Sequence, residues 1–342
     1  MKQAFSFDDV LLTPQYSEIT SRSEIDIRSF LRNVGHLSLP VISSPMDTIT
    51  ESGMVVSMHQ AGGLGIIHRY NSLIEQAGSV RDVAMEGVNN VGAAIGVNDD
   101  FIDRACALYD AGANVLCVDV AHGHHFSVRH ALETLRLTFG STIHIMAGNV
   151  ATLEGFNDLA DWGADSIRVG IGGGSICSTR IQTGHGIPTF QSILDCSMSD
   201  RNVSLIADGG IRNSGDVVKA LAAGADFVMV GSLLAGTDET PGGVVYNDHV
   251  PDAYARRKVY RGMASKEAQR DWRGRVSSIE GVSHFVPCKG PVKEVLHELG
   301  VGIRSGLSYS GARDIIELQA KARFIRQTSA GTIESSTHIK AK

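Results

Sequence analysis

The chain has 342 residues, of which 43% are hydrophobic and 20% charged, a composition typical of a globular protein. Its formal net charge of -6 argues against a nucleic-acid polymer as main partner, since a polymer favours a basic surface, but it allows a mononucleotide at a local site. The sequence has no apolar run long enough to span a membrane and no secretory signal near its start. The five cysteines form no CxxC pair, which disfavours a zinc site or a disulfide framework and favours a reducing cytoplasm.

Short apolar runs rich in Val and Ile recur along the chain, a pattern typical of strands buried on both faces of a parallel sheet. The eight runs are LPVIS (39–43), GLGIIH (63–68), VGAAIG (91–96), VLCVDV (115–120), IHIMAG (143–148), SIRVGIG (166–172), SLIADGG (204–210) and FVMVGS (227–232). Helical patterns lie between them, as at 98–111 and 214–223. A repeat of Gly-Ala-Asp/Asn before a strand, at 112–118, 163–169 and 224–230, predicts that a Gly ends each preceding helix.

Eight strand–helix units over 39–232 predict an α/β fold, the (β/α)8 TIM barrel, with a doubly wound open sheet as the alternative. Residues 233–295 show little periodicity, which predicts a flap inserted after strand 8, at about 244–292. The pattern at 311–325 predicts a helix, and the polar C-terminal tail, about 327–342, is expected to be extended or flexible. We therefore expect a single catalytic domain over 1–342.

The segment 170–186, GIGGGSICSTRIQTGHG, is a glycine-rich loop that follows the sixth predicted strand. Glycines allow positive φ angles and close approach to a ligand, and consecutive backbone N–H groups can cradle a phosphate. Cys177 in this loop is a candidate covalent nucleophile. By contrast, Cys106, Cys117 and Cys196 are interpreted as small buried hydrophobic residues.

With these residues in view, the chain resembles the inosine monophosphate dehydrogenase and guanosine monophosphate reductase family. The motifs that carry the resemblance are FSFDDVLLTP (5–14), SSPMDT (43–48), GGLGIIHR (62–69), MAGNV (146–150), GIGGGSICSTR (170–180), IADGGIR (206–212), GSLLAGTDETPG (231–242), YRGMAS (260–265) and EGVSHFVPCKGPV (280–292). The resemblance implies a (β/α)8 barrel, a homotetramer or octamer, and a nicotinamide dinucleotide as cofactor. It also implies that Cys177 attacks C2 of a purine mononucleotide and forms a covalent adduct.

The family's site residues transfer position by position. The catalytic positions are Cys177, Thr179 and Glu280. The substrate-binding positions are Ser44, Met46, Ser175, Asp208, Gly210, Gly231, Ser232, Tyr260, Gly262 and Met263. The family's phosphate-binding positions among them are Ser175, Gly210, Gly231, Ser232 and Tyr260, and Asp208 matches the carboxylate that holds the ribose hydroxyls. The cofactor-binding positions are Asp119, Asn149 and Arg69. The backbone carbonyls of Gly172, Gly174 and Cys177 match a site for a monovalent cation, K+.

The chain departs from the family pattern at three positions around the loop. Gly173 replaces the usual Pro, Ser178 replaces a Thr, and Thr189 stands where Gln is common. The first two departures are expected to be tolerated, whereas the third is expected to alter the support of the loop.

Two features favour the reductase branch, which converts GMP to IMP and ammonia with NADPH. The short connection 69–91 lacks the regulatory cystathionine-synthase-type modules (CBS domains) that most dehydrogenases insert there. Residues 263–279 contain no Arg-Tyr pair, which the dehydrogenases use to activate water for hydrolysis of their adduct. The flap residues Arg270, Arg273 and Arg275 are interpreted either as a solvated surface or as a contact for the additional phosphate of NADPH.

Other features keep the alternatives open. The phrase YRGMAS and the tail 329–340 resemble the dehydrogenase branch, which oxidises IMP to XMP with NAD. A relative acting on a deoxy or modified purine nucleotide is a further alternative. An inactive barrel that only binds is disfavoured, because Cys177, Asp208 and Glu280 are all present.

Overall fold

The structure, a computed structural model, describes residues 3–98, 100–246, 255–277 and 279–335. Strand β1 (Val10–Leu12) and a hairpin of β2 (Ser29–Leu31) and β3 (Gly35–Leu37) precede the barrel. The barrel strands are β4 (Val41–Ser43), β5 (Leu64–Ile67), β6 (Val91–Ile95), β7 (Val115–Asp119), β8 (His144–Val150), β9 (Ser166–Val169), β10 (Ser204–Asp208) and β11 (Phe227–Val230). They are parallel, and β11 pairs with β4 to close the barrel. All eight predicted strands and the TIM barrel are thereby confirmed, and the open sheet is excluded.

Helices alternate with these strands on the outside of the barrel. They are α1 (Ser52–Gln60), α2 (Leu73–Met85), α3 (Phe101–Asp110), α4 (Phe126–Phe139), α5 (Leu153–Asp161), α7 (Thr189–Cys196) and α8 (Ser214–Ala222), whereas the short α6 (Thr179–Thr183) lies within the glycine-rich loop between β9 and α7. The repeated glycines act as the sequence predicts: Gly112, Gly163 and Gly224 have φ of +111°, +110° and +110°, the conformation that ends a helix before the next strand. Among the described residues, no helix is long and apolar enough to cross a membrane.

The apolar core has two layers. One fills the barrel, where Leu31 and Leu37 of the β2–β3 hairpin pack with inward residues such as Ile42, Ile66 and Phe227. The other lies between the strands and the surrounding helices. Because both faces of each strand are buried, most polar residues of the barrel lie at the strand ends, and Arg168 within β9 is an exception.

The flap lies between β11 and the last barrel helix. It contains β12 (Val245–Tyr246), β13 (Arg256–Arg261), α9 (Lys266–Arg273) and β14 (Ser283–Pro287), and the three strands form an antiparallel sheet. Helix α10 (Val292–Tyr309) then completes the barrel. Parts of the expected flap and tail, residues 247–254, 278 and 336–342, lie outside the described residues.

The C-terminal segment differs from the expectation. The helix predicted at 311–325 is shorter, α11 (Ile315–Lys321), and is followed by β15 (Phe324–Arg326), which pairs antiparallel with β1. Pairing with this distant strand overrides the local helical pattern. The tail, expected to be extended or flexible, forms helix α12 (Ser329–Glu334), capped by Thr328 and tied to Asp8 by a hydrogen bond from Thr332 Oγ1.

Candidate active site

The glycine-rich loop folds tightly against the carboxyl ends of β9 and β10. Gly170 and Gly172 have φ of +146° and +78°, and Ile171 forms a bridge with Ile187 across the loop. A Cβ on Gly170 would lie 1.9 Å from the carbonyl oxygen of Asp208, so only glycine fits there. The loop backbone is thereby pressed against the end of β10.

Cys177 lies half-buried in this loop, with its Sγ 3.1 Å from the hydroxyl of Thr179. Cys117 and Cys196 are buried, as predicted, and burial raises the pKa of each thiol to about 12, which keeps them protonated and unreactive. Cys106 is only half-buried, because its position on α3 lies beside rather than under the apolar stripe. Partial exposure and a hydroxyl partner make Cys177 the cysteine placed for nucleophilic chemistry.

The end of the flap, residues 279–282, pairs directly with the glycine-rich loop 170–186, which is called the cysteine loop below because it carries Cys177. Cys177 forms an antiparallel bridge with Gly281, and the N–H of Val282 donates to the carbonyl of Ile176 at 3.0 Å. The N–H of Ser178 donates to the carbonyl of Glu280 at 3.0 Å, and its hydroxyl donates to the carbonyl of Ile279 at 3.0 Å. This backbone pairing holds Glu280 beside Cys177 and Thr179, although about a hundred residues separate them in the chain.

Several predicted substrate-binding residues converge on Gly231. A Cβ there would lie 3.2 Å from the hydroxyl of Tyr260, 3.3 Å from Sδ of Met46 and 3.5 Å from the hydroxyl of Ser44. Tyr260 also hydrogen-bonds Ser175 of the cysteine loop, while its burial raises the pKa of its phenol. A phosphate-sized anion would therefore find hydroxyl groups from three separate segments here.

The other predicted substrate positions frame the same region. Gly210 has φ of +79° and lies against the Gly173 carbonyl. Gly262 packs against Gly281 and the carbonyl of Ile176. Met263 accepts a hydrogen bond from the N–H of Asp47 through its Sδ at 3.5 Å.

A buried arginine that the sequence analysis did not single out links the two sides of the site. Arg168 of β9 is 6% exposed and donates to Asp119 Oδ1 at 2.6 Å and to Asp208 Oδ2 at 2.8 Å. Burial lowers its pKa, but the two carboxylates outweigh burial and raise the pKa well above its ordinary value. A charged residue inside an otherwise apolar strand was the signal, because such a residue is rarely buried without a partner.

Asn149 reinforces this arrangement. Its Nδ2 donates to Asp208 Oδ2 at 2.8 Å and to the carbonyl of Gly170 at 2.9 Å. The amide therefore ties the carboxylate at the end of β10 to the start of the cysteine loop.

Arg69 lies next to Asp119, at the end of the barrel where the carboxyl ends of the strands meet. Its Nη2 donates to the Asp119 carbonyl at 3.1 Å, and its guanidinium lies over the rings of Tyr70 and Trp272, at 5.0 and 5.7 Å from their centroids. Trp272 belongs to α9, so this contact docks the flap helix on the barrel, and an edge contact between Trp272 and Tyr70 adds to it.

The departures at positions 173 and 189 are coupled. A Cβ on Gly173 would lie 2.2 Å from Oγ1 of Thr189, which is buried beneath the loop. A residue with a side chain at 173, such as the family's Pro, would therefore collide with this threonine. Gly173 and Thr189 have to be considered as one change rather than two.

The structure thus gathers the predicted catalytic, substrate-binding and cofactor-binding residues at one end of the barrel, while their roles stay predictions. The carbonyl of Gly174, one of the expected cation ligands, accepts the N–H of Cys177 at 3.1 Å. The described residues contain no group of three or more His, Cys, Asp or Glu side chains that could hold a metal. The K+ site through the backbone carbonyls stays a prediction.

Replacing Arg168 by methionine should strongly destabilise the protein. The substitution leaves the carboxylates of Asp119 and Asp208 close together without their cation, and breaking a buried pair in this way costs about 3–5 kcal/mol. Arg201→Met is the matched control, because Arg201 pairs with Asp161 at the surface, where such pairs contribute about 0–1 kcal/mol. Urea unfolding of both variants measures the loss in the free energy of unfolding. Equal losses in the two variants would contradict the conclusion that Arg168 contributes more than a surface arginine.

Three comparisons with known proteins identify the same family. The model of the IMP dehydrogenase / GMP reductase domain matches residues 4–338. The inosine-5'-monophosphate dehydrogenase of Nitrosopumilus maritimus is 34% identical, with 98% of each chain covered, and the GMP reductase of Leishmania major is 32% identical, with 99% of this chain and 97% of the relative covered. A solved cysteine-to-alanine variant of GMP reductase from Trypanosoma brucei, in complex with guanosine 5'-monophosphate, is 32% identical with a TM-score of 0.93, covering 100% of this chain and 99% of that one. The chain therefore belongs to the IMP dehydrogenase / GMP reductase family of oxidoreductases.

Proposed function

We propose that this protein is a GMP reductase that converts GMP to IMP and ammonia at the expense of NADPH. The observation that carries the proposal is the short flap, which lays Glu280 on the cysteine loop beside Thr179 and contains no Arg-Tyr pair between 263 and 279. A dehydrogenase has to activate water to hydrolyse its adduct, whereas a reductase has to protonate a departing amine. Thr179 and Glu280 suit the second task.

The proposed reaction begins with attack of the Cys177 thiolate on C2 of GMP, which forms the S–C2 bond. The 2-amino group then leaves as ammonia, with a proton that Glu280 supplies through the Thr179 hydroxyl. A bound reduced nicotinamide dinucleotide supplies the hydride that C2 accepts. Cleavage of the S–C2 bond returns the Cys177 thiolate and yields IMP.

The residues beside Asp119 fit the dinucleotide. Arg69 Nε is buried without a hydrogen-bond partner among the described residues, and it lies 3.9 Å from Asp119 Oδ2. A donor and an acceptor side by side suit a carboxamide, which has both groups. Arg69, Asp119 and Asn149 would hold the nicotinamide end, and the exposed flap residues Arg270 and Arg273 suit the additional phosphate of NADPH.

A second candidate is an IMP dehydrogenase without CBS domains that oxidises IMP to XMP with NAD. It is favoured by the YRGMAS phrase and by relatives of that name, among them the enzyme of Cryptosporidium parvum at 36% identity. A relative acting on a deoxy or modified purine nucleotide is a third candidate. The three share the cysteine loop and differ in what happens to the adduct.

Absorbance of the reduced nicotinamide distinguishes the candidates. With GMP and NADPH, we expect the signal to fall and ammonia and IMP to accumulate in equal amounts. A rise in the signal with IMP and NAD would instead identify a dehydrogenase. No change with either pair would direct the search to deoxy or modified purine nucleotides.

Cys177→Ala should abolish turnover while it changes the dissociation constant for GMP by less than about tenfold, or 1.4 kcal/mol, because the thiol is not a main binding group. Single-turnover kinetics and equilibrium titration measure the two quantities. Turnover retained in this variant would rule out the covalent mechanism.

Glu280→Gln should slow release of ammonia by about 10²-fold or more, the usual contribution of a general acid, and slow hydride transfer less. Rapid-quench measurement of ammonia from GMP follows the first step, and nicotinamide absorbance after mixing IMP with NADP+ in the absence of ammonia follows hydride transfer alone. Glu267→Gln, on the exposed face of α9, is the matched control. Equal slowing of both steps would count against the Thr179–Glu280 pair.

A further inference from the structure

Lys258, in the flap strand β13, is a buried lysine surrounded by backbone carbonyls. The residue is 5% exposed. Its Nζ donates to the carbonyls of Thr237 at 3.1 Å, Asp238 at 3.0 Å and Thr240 at 2.7 Å, and the Thr240 hydroxyl lies at 3.4 Å. The three N–H donors of the ammonium are therefore matched by three carbonyl oxygens.

Among the described residues, backbone dipoles rather than a partner ion balance the charge of Lys258. Within the described part of the chain, no carboxylate forms an ion pair with its Nζ. A buried charge is expensive unless its hydrogen bonds are complete, and here the carbonyls complete them. Backbone carbonyls in such a ring are also the ligands with which proteins hold K+. The ammonium thus occupies the place of a monovalent cation.

The carbonyls that Lys258 binds belong to the segment that continues from the predicted phosphate-binding turn. The turn carries Gly231 and Ser232, and its carbonyls at Ser232 and Leu233 accept hydrogen bonds from Lys289 of the flap at 2.9 and 3.0 Å. Lys258 donates hydrogen bonds to carbonyls of the same segment a few residues later, at 237–240. Both flap lysines therefore donate hydrogen bonds to backbone carbonyls of this segment, Lys258 from β13 and Lys289 from the residues after β14.

Lys258 also fixes the strand that carries Tyr260. Residues two apart in a strand point to the same face, and both Lys258 and Tyr260 are buried. Tyr260 hydrogen-bonds Ser175 and lies against Gly231. The depth at which β13 sits against the segment 237–240 therefore sets the position of the Tyr260 hydroxyl.

We propose that Lys258 is a positioning residue that acts as an internal monovalent cation and holds Tyr260 in register with the Gly231–Ser232 turn. Removal of its ammonium leaves a carbonyl cage that accepts a small alkylammonium ion in its place. The inference rests on the proposed function only in that a purine nucleotide places its phosphate between Ser175, Ser232 and Tyr260.

The test uses Lys258→Ala, which removes a side chain of the length of propylammonium beyond Cβ. We expect the dissociation constant for GMP to rise by about tenfold or more, equivalent to 1.4 kcal/mol, with a smaller change in kcat at saturating GMP. Propylammonium should restore GMP affinity in this variant, whereas propanol of the same size should not. Lys258→Met should lose the same affinity without rescue, because its side chain fills the cavity but carries no charge.

The controls separate this inference from the proposed function. Lys293→Ala, at an exposed position on α10, and the unchanged protein should not respond to propylammonium. Failure of the unchanged protein to bind GMP or IMP would overturn the proposed function. The inference would be overturned if the dissociation constant for GMP changed by less than twofold in Lys258→Ala. It would also be overturned if propylammonium did not restore GMP affinity in that variant. If Lys258→Ala folds only when propylammonium is present, the result supports the carbonyl cage. If neither Lys258→Ala nor Lys258→Met folds, with or without propylammonium, the inference fails.

Discussion

The site depends on one buried guanidinium between two carboxylates. Arg168 holds Asp119 on the side of the mouth next to Arg69 and Asp208 on the side next to the cysteine loop. Two carboxylates near each other at the end of a barrel repel, and the positive charge of the arginine between them offsets this repulsion. Its hydrogen bonds also fix where each carboxylate lies. The predicted ribose ligand and the predicted nicotinamide contact are therefore held by the same side chain.

The second constraint is the way the flap returns to the barrel. Its backbone pairs with the cysteine loop at Cys177 and Gly281, so the position of Glu280 follows from main-chain hydrogen bonds rather than from side-chain packing alone. The other end of the flap is docked by Trp272 on Arg69 and Tyr70. The flap thus joins the proposed chemistry at Cys177 to the proposed dinucleotide site at Asp119. Its length and composition, rather than the barrel, carry the proposed assignment to the reductase branch.

Most of the fold was predictable from the sequence. Strands buried on both faces produce continuous apolar runs, and all eight were found in the right places, as were the glycines that end helices before them. The segment 311–325 was predicted less well, because β15 owes its conformation to pairing with β1 at the other end of the chain. Arg168 was missed for a related reason: a single charge in an apolar run does not say which carboxylates it will meet. The coupling of Gly173 to Thr189 follows from the packing of the cysteine loop on the start of α7, which the sequence does not show.

The sequence by itself determined the barrel, the family and the identity of the candidate nucleophile, because these depend on local periodicity and on motifs contiguous in the chain. Only the tertiary structure decided how the predicted groups are held around that nucleophile and which further residues support them. Glu280 and Tyr260 belong to a flap that pairs with the cysteine loop about a hundred residues earlier in the chain, and Lys258 supports that flap. Arg168 gains its role from carboxylates at the ends of β7 and β10, of which only β10 pairs with β9. Contacts between residues far apart in sequence leave no local pattern, since their energy is gained only when the chain has closed on itself.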